Sequence, residues 1–334
     1  MTRTFKQIAL LVAFVALAGC SSLSRTASTS SKSAPKNFMV IGYYTPGSAS
    51  PESIPMDLLT HVNYSFAIPA PTGDTLIPLK DDSILKRLVK HVHDNRKQVF
   101  ISIGGWGIGD GGGEDGRFHR MAERPEGRRA FIESTMQFVR KYNLDGVDLD
   151  WEYPDEDHPS ADHYVALVRD LSKQLHAEGK KLTAAVVSYG KKGYGIKKEA
   201  FDAMDWLNLM AYDDDYSKDY LAAHSPYVLA MQSLDYWIKE RGLPASKAVL
   251  GLPFYAKKGF GQYGPGYKQL LADGASAYDD YWKGSFYNGI VTTEAKTRLA
   301  IERGCPGVMI WEIGLDVNDD RSLLRAINRA KGGK

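Results

Sequence analysis

Only two cysteines, Cys20 and Cys305, occur in 334 residues. So few exclude a disulfide framework, and the fold must rest on a hydrophobic core. Cys305 lies beside an apolar stretch and reads as a small buried residue, neither nucleophile nor metal ligand. Neither sign of charge is in excess: 42 Lys and Arg against 40 Asp and Glu leave a formal net charge of +2. That balance removes the electrostatic reason to expect nucleic acid as a partner. The apolar run from Ile8 to Ala18 is about half the length a membrane-spanning helix needs. No internal repeat is apparent. The glycine-rich stretch from Gly107 to Gly116 lacks the Gly-Lys-Ser/Thr ending of a phosphate loop and reads as a loop beside a cleft. What is present is a hydrophobic content of 43% with 25% charged residues, enough to bury a full core. The length suits a single α/β barrel, which needs about 250 residues. There are 19 Tyr and 6 Trp; core packing accounts for most, but sugar clefts also use aromatic faces, which mildly favours a carbohydrate ligand.

Arg3 and Lys6 precede the apolar run, which ends in Leu17-Ala18-Gly19-Cys20. This resembles the lipobox of bacterial lipoproteins, in which the cysteine is diacylated and becomes the new N-terminus. Residues 1–19 are accordingly read as a lipoprotein signal peptide. Residues 20–36, rich in Ser, Thr, Ala and Lys, read as a flexible tether, and 37–334 as the folded domain. Ser21 and Ser22 follow Cys20 where no Asp does, which resembles an outer-membrane address in Gram-negative bacteria. The expectation is a monomer of the bacterial cell envelope, anchored to the membrane through lipid on Cys20.

Eight short β-like runs follow: Phe38–Tyr43, His61–Phe66, Gln98–Ile103, Gly146–Trp151, Leu182–Ser188, Trp206–Ala211, Ala248–Phe254 and Gly307–Trp311. Most are almost continuously apolar, as parallel strands covered by helices are. Helical periodicity lies between many of them. Ile84, Leu85, Leu88, Val89 and Val92 share one face, Tyr164, Leu167, Val168, Leu171 and Leu175 another, and Met231, Leu234, Trp237 and Ile238 a third. This alternation predicts a closed (β/α)8 TIM barrel, with a doubly wound open sheet as the alternative. Barrel enzymes place their chemistry at the C-terminal ends of strands.

The fourth run ends in Asp145-Gly146-Val147-Asp148-Leu149-Asp150-Trp151-Glu152-Tyr153-Pro154. Strand side chains alternate faces, so Asp148, Asp150 and Glu152 point the same way, successive positions about 6.6 Å apart. Val147, Leu149 and Trp151 occupy the other face, which marks the strand as buried and the acids as purposeful. Like charges crowded together retain a proton, which supplies an acid beside a carboxylate near neutral pH. Glycosidic bond cleavage needs that pair. A divalent-metal site is the competing reading, but no histidine lies nearby in sequence. No metal and no cofactor are expected.

Asp145 to Glu152 matches the Asp-Gly-x-Asp-x-Asp-x-Glu signature of family 18 glycoside hydrolases, and Trp151, Tyr153 and Pro154 resemble its chitinase members. Ser102-Ile103-Gly104-Gly105 resembles that family's Ser-x-Gly-Gly motif, Met210-Ala211-Tyr212-Asp213 its Met-x-Tyr-Asp motif, and Trp311 the tryptophan that floors its cleft. The resemblance implies that Glu152 protonates the leaving oxygen while the substrate's own 2-acetamido oxygen attacks C1, giving an oxazolinium intermediate and retained configuration. It also implies that Asp150 orients the acetamido group, that Tyr212 hydrogen-bonds its carbonyl, and that Asp148 shares a proton with Asp150, supported by Ser102. Trp311, Asp213, Met210, Tyr43, Phe66, Gly105, Trp106 and Tyr255 are the expected substrate-binding residues. The substrate implied is chitin or another oligo- or polysaccharide containing β-1,4-linked N-acetylglucosamine. The alternatives are an endo-β-N-acetylglucosaminidase acting on N-glycan cores and a sugar-binding lectin without catalysis. One departure stands out. Many processive members carry a sizeable insertion between strands seven and eight, where this chain has only the Gly- and Tyr-rich stretch from Tyr255 to about Val291. It therefore lacks a full-size insertion domain, which argues for an open cleft and low processivity.

Overall fold

The structure is a computed structural model that describes residues 33–106, 115–156, 159–214, 223–258 and 262–332. The signal peptide, Cys20 and most of the tether lie outside the described residues, as does most of the Gly107–Gly116 stretch.

Seven strands come first in the chain: β1 (Met39–Tyr44), β2 (His61–Ala67), β3 (Gln98–Gly104), β4 (Gly146–Asp150), β5 (Lys181–Val187), β6 (Trp206–Met210) and β7 (Ala248–Pro253). An excursion of four short strands follows, β8 (Tyr255–Lys258), β9 (Gln262–Gly266), β10 (Tyr281–Trp282) and β11 (Ser285–Phe286), before β12 (Gly307–Trp311). The first seven and β12 close into a parallel barrel in the order β1-β12-β7-β6-β5-β4-β3-β2. Every run expected from the sequence is a barrel strand, with ends displaced by about one residue.

The barrel holds two cores. Inside it, Ile41, Tyr43, Phe100, Trp206, Val249 and Met309 pack together. Outside, the opposite faces of the strands pack against helices including α1 (Ser83–Asp94), α2 (Gly116–Glu123), α3 (Pro125–Tyr142), α4 (Ser160–Ala177) and α5 (Tyr227–Leu234). The stripe on α1 is Leu85, Leu88, Val89 and Val92, and that on α4 includes Tyr164, Leu167, Val168, Leu171 and Leu175, as the 3.6-residue period requires. Each such side chain contributes about 1.5–3 kcal/mol on burial. The third stripe differs: Met231 is exposed, and the inward face of α5 and the π-helical turn that follows it over Asp235–Glu240 runs through Ala230, Leu234 and Trp237 instead. Cys305 is buried and free, in keeping with a packing role. No helix among the described residues is long and apolar enough to cross a membrane.

The stretch after β7 is not the soft loop its glycines suggest. β8 to β11 form an antiparallel sheet in the order β10-β11-β8-β9, with the short helix α6 (Tyr267–Ala272) between β9 and β10. Lys283 and Gly284 both have positive φ, the two-residue turn that joins twisted antiparallel strands. The next helix, α7 (Ile290–Glu302), follows directly on the excursion. The excursion is nonetheless short, and no full-size insertion domain separates β7 from β12.

Candidate active site

Asp148, Asp150 and Glu152 follow the inward face of β4 toward the mouth, with relative exposures of 0%, 3% and 6%. Burying carboxylates is expensive unless donors surround them. For Asp148 they do. Tyr43 Oη (2.6 Å) and Ser102 Oγ (3.0 Å) donate to Oδ2, and Thr183 Oγ1 (2.6 Å) and Asn208 Nδ2 (3.0 Å) to Oδ1. Sheet register puts Ser102 and Thr183 directly beside Asp148 on the two neighbouring strands. Burial pushes the Asp148 carboxyl above its usual range, and these four donors pull the other way. They occupy the lone pairs an ionised carboxylate offers.

Asp150 lacks such support. Burial, then the charges of Glu152 and Asp148, push its carboxyl well above the usual carboxylate range, and its side chain hydrogen-bonds Glu152. The resemblance has Asp148 and Asp150 share a proton; in this structure the Asp150 side chain is hydrogen-bonded to Glu152. The reason is local: Asp148 is already filled by its four donors. Asp150 Oδ1 is buried and has no partner among the described residues.

Two glycines set this geometry. Gly104 and Gly105 have φ of +111° and +91°. A Cβ on Gly104 would stand 2.1 Å from the Asp150 carbonyl oxygen, and one on Gly105 2.7 Å from the Phe66 ring. Only glycine lets β3 pass so close, and Gly105 N then donates to Asp150 O at 2.8 Å.

Above the acids lies a cavity of about 330 Å³. Tyr43, Phe66, Trp106, Asp150, Glu152, Met210, Tyr212, Asp213 and Trp311 line it, as the sequence anticipated. Trp311 forms the floor, stacked on Phe66 with centroids 5.6 Å apart and tilted against Tyr43. Trp106 stands at the rim, 58% exposed. Burial and the neighbouring carboxylates push the Tyr43 and Tyr212 phenols well above their usual range, so both remain donors. Among the described residues the Tyr212 hydroxyl meets only the weak acceptor Met309 Sδ, at 3.8 Å. Ser102 lies below the cavity, where its sole described side-chain bond is to Asp148.

Two expected lining residues do not line it. Tyr255 is buried behind Asp213, to whose carboxylate its hydroxyl donates, because Tyr263 covers it with ring centroids 5.8 Å apart. Gly105 packs beneath Phe66 and shapes the wall only through that ring. Asp213, with φ +59°, is held by Tyr255, Tyr263 Oη (3.1 Å), Lys257 Nζ (3.2 Å) and His224 Nδ1 (3.3 Å). Burial pushes its carboxyl up, but the His224 bond and the Lys257 charge outweigh burial and hold it below the usual range. Trp151 faces outward, stacked on Phe118 at 5.2 Å, so it braces the strand rather than the ligand.

Residues 39–316 match glycosyl hydrolases family 18. The chain belongs to this family. Probable chitinase 10 of Drosophila melanogaster is 32% identical over 255 residues, 66% of this chain but 11% of that protein, so the chain spans a small part of this relative's length. Chitotriosidase-1 of Mus musculus is 28% identical over 328 residues, covering 80% of this chain and 69% of that protein. Among solved structures, the family 18 chitinase from the chitin utilization locus of Flavobacterium johnsoniae superposes with TM-score 0.76 at 29% identity, covering 90% of this chain and 94% of that one. A chitinase-like agglutinin from Robinia pseudoacacia superposes equally well, TM-score 0.76 at 27% identity, covering 87% and 99%. The chain is thus a family 18 glycoside hydrolase related to chitinases.

Several residues of this family 18 site escaped the sequence reading. Thr183 and Asn208 are polar residues at inward positions of otherwise apolar strands, a signal that was available. Tyr153, Ser188, Lys257 and Tyr263 also line the cavity, and only the excursion's folding brings the last two there. The Asp148 network makes a prediction. Thr183→Val keeps the shape but removes a donor to a buried carboxylate, which should lower stability by about 1–3 kcal/mol and reduce turnover. Urea unfolding alongside steady-state kinetics checks it; an unchanged midpoint would mean that the bond contributes nothing.

Proposed function

We propose that the enzyme hydrolyses β-1,4 N-acetylglucosamine linkages in chitin or chito-oligosaccharides, with retention of configuration through an oxazolinium intermediate. The observation that carries this reading is the Asp150–Glu152 hydrogen bond beside a buried Asp150 Oδ1 that has no partner among the described residues. A buried oxygen without a partner is costly, and an amide N–H from the substrate satisfies it. In this reading Glu152 protonates the leaving oxygen, Asp150 turns to the acetamido N–H, and Tyr212 donates to the acetamido oxygen, a better acceptor than Met309 Sδ. Trp311 stacks under the sugar, and Asp213 holds the cavity wall. Water then opens the intermediate with Glu152 as base. The test is turnover of a fluorogenic chitobioside, with chitin, glycoprotein and peptidoglycan compared as substrates. Cleavage of the glycoprotein alone would move the assignment to an endo-β-N-acetylglucosaminidase. Binding without turnover would move it to a lectin, a reading kept in view by the likeness to the Robinia agglutinin.

The proposed site of action is the bacterial cell envelope, with the barrel tethered to the outer membrane through diacylated Cys20. One acyl chain binds a membrane only marginally, but two or more give stable attachment. Cys20→Ala should therefore shift the protein from the membrane to the soluble fraction. Recovery of the wild type as soluble protein would refute the anchor.

A further inference from the structure

Three side chains able to bind a metal meet behind the end of the catalytic strand. Asp115 precedes α2, His119 lies one turn into that helix, and Asp155 stands in the loop after β4, just beyond Glu152. One ligand atom from each lies within 4.8 Å of the others. His119 Nε2 is 3.1 Å from Asp115 Oδ2 and 3.8 Å from Asp155 Oδ2. None of the three lines the catalytic cavity.

Local structure aims these groups at one another. An aspartate at a helix N-cap ordinarily turns its carboxylate onto the helix's own N–H groups. Asp115 holds that position but makes no such bond, and its side chain runs along the helix to His119 instead. Asp155 is fixed through its backbone, whose N–H donates to Oγ of the fully buried Ser160 at 2.8 Å. The His119 ring is set by Trp151, against which it packs edge-on with centroids 5.2 Å apart. The three side chains are between 19% and 38% exposed, so the cluster is open to solvent on one side.

Hydrogen bonding alone does not balance this cluster. A single imidazole Nε2–H serves one oxygen. Asp115 is within reach of it, whereas Asp155 at 3.8 Å is beyond hydrogen-bond distance. Among the described residues His119 is the sole ion-pair partner of either carboxylate. Two like charges thus crowd one imidazole, and a cation between them turns repulsion into attraction. In a tetrahedral zinc site with bonds of about 2.0–2.1 Å, neighbouring ligand atoms stand about 3.3 Å apart. The observed spacings reach that with small side-chain rotations. Calcium and magnesium take oxygen ligands, so the imidazole nitrogen argues against both. One imidazole with two carboxylates suits zinc.

We infer that Asp115, His119 and Asp155 form a zinc site, completed by water, that ties the start of α2 to the loop after β4. The sequence reading expected no metal because no histidine lies near the β4 acids in sequence; the fold brings His119 to the loop that follows them. The site has no part in the chemistry on the sugar. It lies behind Trp151, whose chain neighbours on either side are Asp150 and Glu152, and bound zinc steadies the strand end that carries the acid. The inference is independent of which substrate the cavity takes.

The test uses the untagged full chain, stripped with a chelator and then dialysed against zinc. The wild type should retain one equivalent. Zinc at a hundredfold excess over its dissociation constant should raise the thermal midpoint by roughly 5 °C. Cobalt(II), which quenches nearby indoles, should dim tryptophan emission through Trp151. Asp115→Asn and Asp155→Asn keep the side-chain size, and each should weaken zinc binding at least tenfold, the least that even a supporting partner of a metal ligand contributes. His119→Phe keeps a ring against Trp151 but offers no ligand, and should bind none. Retention of less than one equivalent by the wild type, or the same zinc affinity in the wild type and these variants, would overturn the inference. Stabilisation by calcium and not by zinc would overturn the choice of metal.

Discussion

Glu152→Gln should lower turnover on a chitobioside by about 10²–10⁴-fold, the usual contribution of a positioned general acid, and leave sugar affinity in place. The argument starts from the buried pair. Asp150 is pushed well above the usual range because Glu152 stands beside it, and the two hydrogen-bond. A glutamine keeps the volume and an acceptor oxygen for that bond, so the cavity keeps its shape. It cannot hand a proton to the leaving oxygen, however, nor take one from the incoming water. The substitution also removes a negative charge beside Asp150, so its carboxyl should fall toward its ordinary range. The chemical step is therefore lost while binding is spared: kcat falls with KM nearly unchanged. Calorimetric titration with an N-acetylglucosamine oligomer separates the two. Turnover near that of the wild type would end the assignment of Glu152 as the acid.

The sequence was most legible where local chemistry and global fold agree. Near-continuous apolar runs such as Ala248–Phe254 can be strands only if both faces are covered, and so β7 was placed within a residue. Period two put Asp148, Asp150 and Glu152 on one face before any coordinates, since a strand allows nothing else. Long-range partners were less legible. Tyr43 reaches Asp148 across 105 positions of sequence, and nothing in its neighbours announces which carboxylate it meets. Its dual position, lining the cavity and bonding Asp148, follows only from barrel closure. That the Asp150 side chain bonds Glu152 was not legible for a related reason. Alternation gives the direction of a side chain but not the number of donors around it. The excursion was hardest: Tyr255-Ala256-Lys257-Lys258 and Tyr281-Trp282 are too short for periodicity to show. Yet Lys283-Gly284 between Trp282 and Ser285 is a hairpin signal of the kind that could have been read.

Substrates that lack the 2-acetamido group at the cleavage point should fail as completely as the acid variant. In the usual retaining mechanism a second enzyme carboxylate attacks the anomeric carbon. Here the candidates for that role are compromised. Asp148 is fully buried beneath the cavity and filled by four donors, so it cannot reach a sugar. Asp150 is hydrogen-bonded to Glu152, and burial and its charged neighbours push its carboxyl well above the usual range, which makes it a poor nucleophile. Asp213 lines the cavity but is held by Lys257, His224 and two tyrosine hydroxyls. In the proposed reading the nucleophile is carried by the substrate, and the cavity offers it fitting partners: Asp150 Oδ1, which has no partner among the described residues, for the amide N–H and the Tyr212 hydroxyl for the carbonyl. An intramolecular attack so oriented needs no enzyme carboxylate, because orientation alone lowers the barrier by several kcal/mol. Replacing N-acetylglucosamine by glucosamine at that position removes both contacts and the nucleophile together. A thiazoline that mimics the cyclised intermediate should then inhibit competitively and bind more tightly than the substrate. The measurement is product release from fully deacetylated and fully acetylated oligomers of equal length. Cleavage of the two at comparable rates would require an enzyme nucleophile and would move attention to Asp150.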